Sequence, residues 1–425
     1  MRVEEHVERP GAFVRWRTML ESRSPFLMVF VPLTIIYLAT ANLSSYTHID
    51  PLTNSLTAWH LGMTGSVVLP DHAEAAVEEQ RGNVAWVIDS PRGPVSQYPP
   101  GAAALAAPFY WAWDQPMTEW FVEGFNNPDA EPIPFPLPSP APSAIAMALA
   151  TAAAMGLVAA AIPHAGGTRL SGVAAGYVGG LATTMWATSS DAIWQHGPAS
   201  LWVSLAVYLA ARSHLLWSGL AFGAAVMTRP PLAVVAAVVG LYLSVSRRTW
   251  RPAASIGAGS LLGLGGVVWF NWWLWRDLSV SGGYGEERLR ALASADDAVS
   301  YIVNLTSSLV DPAHGVLLYS PFLLLLIPGI RAGWRQVPDW ARAATVGGVV
   351  YLLVQLRVNR FSGGEGFLGY RYPLETMTAG AVVLTSAYTQ WVQVRPLARL
   401  AFWVAVVVSV SLEIYWKAWV VPGYG

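Results

Sequence analysis

The sequence predicts an all-α polytopic membrane protein, with about eleven transmembrane helices and amphipathic surface helices in a long first extracytoplasmic loop. Three observations predict it. Of 425 residues, 54% are hydrophobic and only 12% charged, with a mean hydropathy of +0.41; soluble domains carry roughly a quarter charged residues. The 21 Trp, 16 Tyr and 13 Phe are far too many for a solvated, disordered chain. Charge-free apolar stretches recur along the whole length, and basic residues collect in alternate short connections. A net charge of −1 gives no electrostatic basis for binding nucleic acid. The absence of cysteine excludes disulfides, thiolate catalysis and cysteine-based metal centres.

Residues 1–24 contain five Arg and no apolar run, which predicts a cytoplasmic N-terminus ahead of an uncleaved anchor. Residues 25–425 read as one transmembrane domain. Its apolar stretches lie at 25–46, 143–162, 171–188, 198–211, 215–228, 231–246, 253–275, 315–330, 343–356, 376–394 and 400–416. Several are shorter than the ~20 residues that cross a bilayer upright. Eleven crossings place 1–24, 163–170, 212–214, 247–252, 331–342 and 395–399 inside, and these short segments hold 15 of the 25 Lys and Arg residues. That bias follows the positive-inside rule. Only 5 of the 26 acidic residues fall there.

The extracytoplasmic segments are then 47–142, 276–314 and 357–375. Gly101 to Trp113 reads as a helix lying on or dipping into the outer surface, because a crossing there would reverse every later loop. Proline at every second position from Pro132 to Pro142 predicts an extended polyproline strut. Two prolines in Thr228-Arg229-Pro230-Pro231 divide one helix from the next.

No ionisable residue sits in the middle of any apolar stretch; Glu375 and Glu413 lie near outer ends. Transporters that couple to ions usually hold a charge at depth, so chemistry is expected at the outer interface instead. Five constellations gather there. Asp50-Pro51 heads an amphipathic helix bearing Leu52, Leu56, Trp59 and Met63 on one face, with Asp50 as N-cap and Pro51 as its first residue. A carboxylate fixed at such a place can act as a general base or serve only as a cap. Gln97-Tyr98-Pro99-Pro100-Gly101 is a rigid turn into the surface helix. Asp191 and His196 flank Trp194 in one short outward connection, and Arg229 ends a helix in another. Gly282-Gly283-Tyr284-Gly285-Glu286-Glu287 is glycine-rich without a dinucleotide-binding context. Arg357, Arg360 and Arg371 stand against the positive-inside rule in a glycine-rich outer loop that also holds Glu365 and Tyr370. Guanidinium groups there suit a phosphate at headgroup level, or ion pairs with Glu365 and Glu375.

In this order the features resemble the GT-C superfamily of integral membrane glycosyltransferases, in particular bacterial members similar to protein O-mannosyltransferases and lipid A aminoarabinose transferases. The resemblance rests on the acid after the first span, the long first outer loop, and the Pro99-Pro100 pair heading a surface helix. It rests also on the Gly219 to Pro230 turn, on Gly315-Val316-Leu317-Leu318-Tyr319-Ser320-Pro321, and on Gly363 to Tyr372. It implies inverting transfer of a sugar from a polyprenyl-phosphate donor to a hydroxyl of a glycan, lipid or protein at the outer face of a bacterial plasma membrane. Asp50 then matches the family's first-loop acid, the candidate base. Arg371, Arg229 and Arg360 become candidates for the lipid phosphate, with Tyr98 where relatives carry Lys or His. His48, His60, Asp191, His196, Tyr284, Glu286, Glu365 and Tyr370 are candidate substrate contacts. Relatives often pair two acids where this chain has Asp50-Pro51. No cofactor is assigned and a divalent cation stays open: His48, His60, His72, His196 and His314 lack metal-protease spacing. A lipid-linked-sugar transporter and a non-catalytic cell-envelope assembly protein are the alternatives, and neither needs Asp50.

Overall fold

The computed structural model describes residues 24–46, 48–79, 82, 84–113, 117–122, 131–284, 297–359, 361 and 368–420. The described chain is mostly helical. Helix α1 (Pro25–Thr40) begins with Pro at its first position, where a missing N–H costs nothing. Val29, Leu33 and Tyr37 form its buried seam, while Leu27, Val31 and Ile35 stay exposed, as a bilayer-facing surface allows. The seam meets α5 (Ala141–Ala161) and α6 (Arg169–Leu181). Small residues let these helices touch: Gly172, Gly176 and Gly180 recur every four residues on α6 and lie against Ala159, Val29 and Leu33, and Tyr37 donates to Gly180 O at 2.8 Å.

The long connection after α1 holds α2 (Ile49–Thr64), α3 (Asp71–Glu79), β1 (Val87–Ile88), β2 (Val95–Ser96), α4 (Gly101–Ala112), β3 (Thr118–Val122) and β4 (Ile133–Leu137). Helices α2 and α4 pack closely, with Gly62 against the Ala107 carbonyl. Gly101, at the head of α4, abuts the backbone of Met227 and Thr228. The expected polyproline strut is instead a strand: β4 pairs antiparallel with β3, Glu119 opposite Pro136 and Phe121 opposite Pro134. The alternation explains it. Pro134 and Pro136 share the parity whose N–H would point away from β3, so no ladder bond is lost, and Ile133, Phe135 and Leu137 turn inward to the core.

Beyond α6 come α7 (His196–Ala211), α8 (Leu215–Thr228), α9 (Ala233–Ser246) and α10 (Arg251–Trp275). Helices α8 and α10 cross at paired glycines: Gly223 lies against Gly259 and Gly263, and Gly219 against Ile256. The connection that follows contains α11 (Ala298–Val310), a charge-free helix whose Asn304 and Tyr301 bond carbonyls of Leu356 and Leu353. The 315–330 stretch is broken into Val316–Tyr319 and Phe322–Leu326, with Pro321 and Pro328 at the interruptions. Helices α12 (Asp339–Val358), α13 (Leu374–Ala387) and α14 (Pro396–Tyr415) complete the bundle.

Each of the eleven apolar stretches is helical, but only four described helices are long and apolar enough to cross a membrane: Ala141–Ala165, Arg251–Trp275, Asp339–Val358 and Pro396–Ala418. Pro25–Thr40, Leu215–Thr228, Pro230–Ser246 and Ala298–Val310 are shorter apolar helices. The eleven-span count therefore contracts to four by length, because turns, prolines and wide helical turns at 185–189 and 388–392 shorten the regular segments. Arg247 makes a two-point pair with Asp339 at 2.6 and 3.1 Å, joining two connections that the charge bias places together.

Candidate functional site

Helix α2 begins two residues earlier than Asp50 as N-cap would require. His48 is the N-cap, and its Nδ1 accepts the Asp50 N–H at 3.1 Å. Asp50 is thus the second helical residue, and its carboxylate is not spent on capping. It turns instead to three side chains. Tyr98 donates to Oδ1 at 2.6 Å, Arg371 Nη2 donates to Oδ2 at 3.3 Å, and His48 Nδ1 lies 3.3 Å from Oδ1. His48 Nδ1 cannot serve both neighbours at once: without a proton it caps the helix, and with one it donates to the carboxylate.

The Asp50 side chain is 16% exposed, a narrow opening. Burial would raise its pKa, but the hydrogen bond with His48, the Arg371 charge and the Tyr98 hydroxyl outweigh it and hold the value at about 2, against 3.8 ordinarily. For Tyr98, burial and the neighbouring carboxylate push the phenol well above its ordinary range, so it stays a donor.

Arg371 comes from the turn before α13. Gly369 enters that turn at φ +64°, the left-handed region that glycine occupies without strain, and packs on Tyr319 of the Gly315 to Pro321 motif. The Arg371 side chain is buried, its Cζ 4.0 Å above the Trp194 ring, and the His48 ring stands 4.9 Å from the same indole. Asn54 holds this connection by donating to Ile193 O at 3.1 Å.

A second ionic group lies beside the first. Glu375 Oε1 accepts from Arg229 Nη1 at 2.9 Å and is 2.9 Å from His196 Nδ1. All three side chains are buried. Tyr372 connects the two groups: its ring stacks on His196 at 5.5 Å, with Arg229 Cζ 5.1 Å and Arg371 Cζ 5.7 Å from its centroid. Tyr370 packs 5.2 Å from Tyr372. The hydroxyls of Tyr351 and Tyr370, Gln355 Oε1 and Glu375 Oε2 are buried with no hydrogen-bond partner among the described residues.

Of the sequence candidates, His48, Asp50, Tyr98, Arg229, His196, Tyr370 and Arg371 converge. Tyr284 joins the edge, its ring 6.2 Å from Tyr98, because Gly283 is small enough to sit on the Gln97 backbone. The connections carrying Asp191 and Arg229 are buried rather than outward-facing. Two candidates go elsewhere. His60 bonds Ser66 O at 3.1 Å near the far end of α2. Asp191 pairs with Lys417 and accepts the Asn42 N–H at 2.8 Å. Arg360, Glu286 and Glu365 lie outside the described residues. Sequence reasoning missed Trp194, Tyr372 and Tyr351 as members. The alternating Tyr370-Arg371-Tyr372 was the available signal for the second.

A separate apolar cavity of about 120 Å³ opens between α5, α6, α13 and α14, lined by Met155, Val178, Leu374, Met377, Phe402 and Trp403. Leu374, which lines this cavity, directly precedes Glu375 in the chain. Among the described residues no three His, Asp or Glu side chains group as they would around a metal ion. No protein-family model matches the chain, and no curated protein matches it significantly. The arrangement offers a carboxylate acceptor for a proton, a guanidinium facing it, and aromatic walls.

Proposed function

We propose that the chain is a polyprenyl-phosphate-sugar-dependent glycosyltransferase of the GT-C type, working at the extracytoplasmic face of a bacterial plasma membrane. One observation carries the reading: the Asp50 carboxylate stands 3.3 Å from the buried Arg371 guanidinium, so a proton acceptor and a cation for the leaving phosphate meet in one place. In the reaction, the acceptor hydroxyl oxygen bonds to the anomeric carbon as the bond from that carbon to the phosphate oxygen breaks. The hydroxyl proton passes to Asp50 and the electron pair leaves with the lipid phosphate, facing Arg371. Attack opposite the leaving group inverts the anomeric centre. The eleven apolar helical segments, tilted or shortened, would together form the membrane domain, with the site at its outer side. A glycan, a lipid or a protein remains eligible as acceptor.

A transport reading has its own observation. Glu413 of α14 is fully buried, and one of its oxygens accepts the Ala187 N–H at 2.9 Å while the other has no partner among the described residues. A carboxyl so placed is a coupling device in transporters.

Complementation separates them. In a strain deleted for this gene, mass spectrometry of envelope glycolipids and glycans should reveal one missing sugar addition that wild type restores. Asp50→Asn at matched membrane levels should restore about 100-fold less or worse. Equal restoration by Asp50→Asn would sink the transferase reading and favour transport.

A further inference from the structure

The Asp50 carboxylate can receive a proton but is a poor place to leave one. Burial would raise its pKa, yet the His48 hydrogen bond first, then the Arg371 charge and the Tyr98 hydroxyl, hold it at about 2. A proton taken from an acceptor hydroxyl therefore needs a second resting place. His48 stands where one is required. Its Nδ1 lies 3.3 Å from Asp50 Oδ1 and accepts the Asp50 N–H at 3.1 Å. That capping bond uses the lone pair of Nδ1, so the proton of the neutral ring sits on Nε2. Nε2 bonds nothing among the described residues, and the side chain is 16% exposed, so this nitrogen is not sealed from water. The Asp50 N–H is one of the first-turn donors that a helix leaves without an internal partner, so releasing it breaks no helical bond. The charged and titratable groups around the ring are Asp50 on its own helix, Tyr98 from the turn before α4 and Arg371 from the turn before α13. Trp194 gives the ring a neutral face at 4.9 Å.

Resting on the transferase reading above, we propose that His48 is the second acceptor in a proton relay, taking from Asp50 the proton of the acceptor hydroxyl and releasing one to water. As the hydroxyl oxygen bonds to the anomeric carbon, its O–H breaks and an O–H forms on Asp50 Oδ1, the oxygen that faces the ring. That bond then breaks as Nδ1–H forms, which restores the carboxylate and leaves an imidazolium donating to Oδ1. The Nε2–H breaks last and its proton passes to water; exchange with water returns the ring to the tautomer that caps α2. Arg371 stays on Oδ2 and Tyr98 on Oδ1 throughout.

His48→Asn separates a relay from a cap. Asn is among the strongest N-caps, and its amide offers both an acceptor for the Asp50 N–H and a donor for Oδ1, but it cannot carry a proton through. His48→Ser, also a strong cap, stands in should the first variant not accumulate. In the deletion strain, at matched membrane levels and with the melting midpoint of wild type in detergent, His48→Asn should restore the missing sugar addition about 100-fold less well than wild type. His48→Ala should be as weak. Imidazole in the medium should raise its product about tenfold or more, increasingly as pH rises, because only neutral imidazole accepts a proton. Wild-type restoration by His48→Asn, with Asp50→Asn still defective, overturns the relay and leaves Asp50 as the sole base of the transferase. Loss in His48→Asn with no effect of imidazole on His48→Ala also overturns it, and makes the ring a support for Asp50. Wild-type restoration by Asp50→Asn and His48→Asn alike overturns the transferase reading and the relay with it.

Discussion

Asp50 is held by neighbours that can be removed one at a time. Tyr98→Phe deletes the shortest contact and leaves the ring in place. Loss of a hydrogen bond to a charged group predicts a stability loss of about 2 kcal/mol, read as a lower melting midpoint in detergent. It also predicts a rise in the Asp50 pKa, visible as an upward shift in the acid limb of any pH–rate profile. The depressed pKa carries a linkage prediction of definite sign. Because the folded value lies below the unfolded 3.8, the carboxylate contributes stability above that pH and loses it as pH falls toward about 2. Wild type and Asp50→Asn should therefore differ in midpoint at neutral pH, and the gap should close between those two pH values. The sequence made Asp50 visible as a lone acid after the first span, and Arg371 as a cation on the wrong side. It did not reveal that they touch, since 321 positions separate them. Nor did it reveal that His48 caps the helix in place of Asp50: both residues suit an N-terminus, and only the chain's entry angle decides between them.

The elements that deliver these side chains are spaced by glycine. Helix α8 carries Gly219 and Gly223, α10 carries Gly259 and Gly263, and each pair is four residues apart on one face, the spacing that lets two membrane helices approach backbone to backbone. Arg229 ends α8, so this crossing sets its position. Gly259→Leu would drive its Cβ to 2.7 Å from the Leu216 carbonyl, and the helices must part. The expected cost is about 2 kcal/mol or more, with a lower midpoint, whereas Gly257→Ala on the same helix meets nothing within 4 Å and should be neutral. Helix α14 tests a different bond. Glu413→Ala strands the Ala187 N–H and should cost about 1–3 kcal/mol, while Glu413→Gln keeps a carbonyl acceptor and should be near neutral in the melting measurement. The glycine spacing was present in the sequence, but glycines are frequent in this chain and only the crossing identifies which of them pack.

For the whole molecule, each of the eleven apolar stretches is helical, because burying apolar side chains in lipid or in a core needs the same composition, but the apolar helix Ala298–Val310 is not among them. Composition does not count the crossings, for that same reason: a helix such as α9 or α13 is apolar whether it meets lipid or other helices. Sidedness is directly testable, since the chain has no cysteine to give a background. Arg92→Cys and Gln336→Cys both place a thiol at an exposed position. An impermeant maleimide added to intact cells should label the first alone, and permeabilisation should expose the second; the reverse order would invert the topology. The β3–β4 ribbon has a consequence for life in a crowded bilayer. Along the free edge of β4 the positions that would offer N–H groups are Pro134 and Pro136, so that edge presents carbonyl oxygens and no donors. A strand from a neighbouring chain has nothing there to accept from, and the ribbon cannot lengthen edge to edge into an aggregate on that side, however densely the protein is packed in the membrane plane.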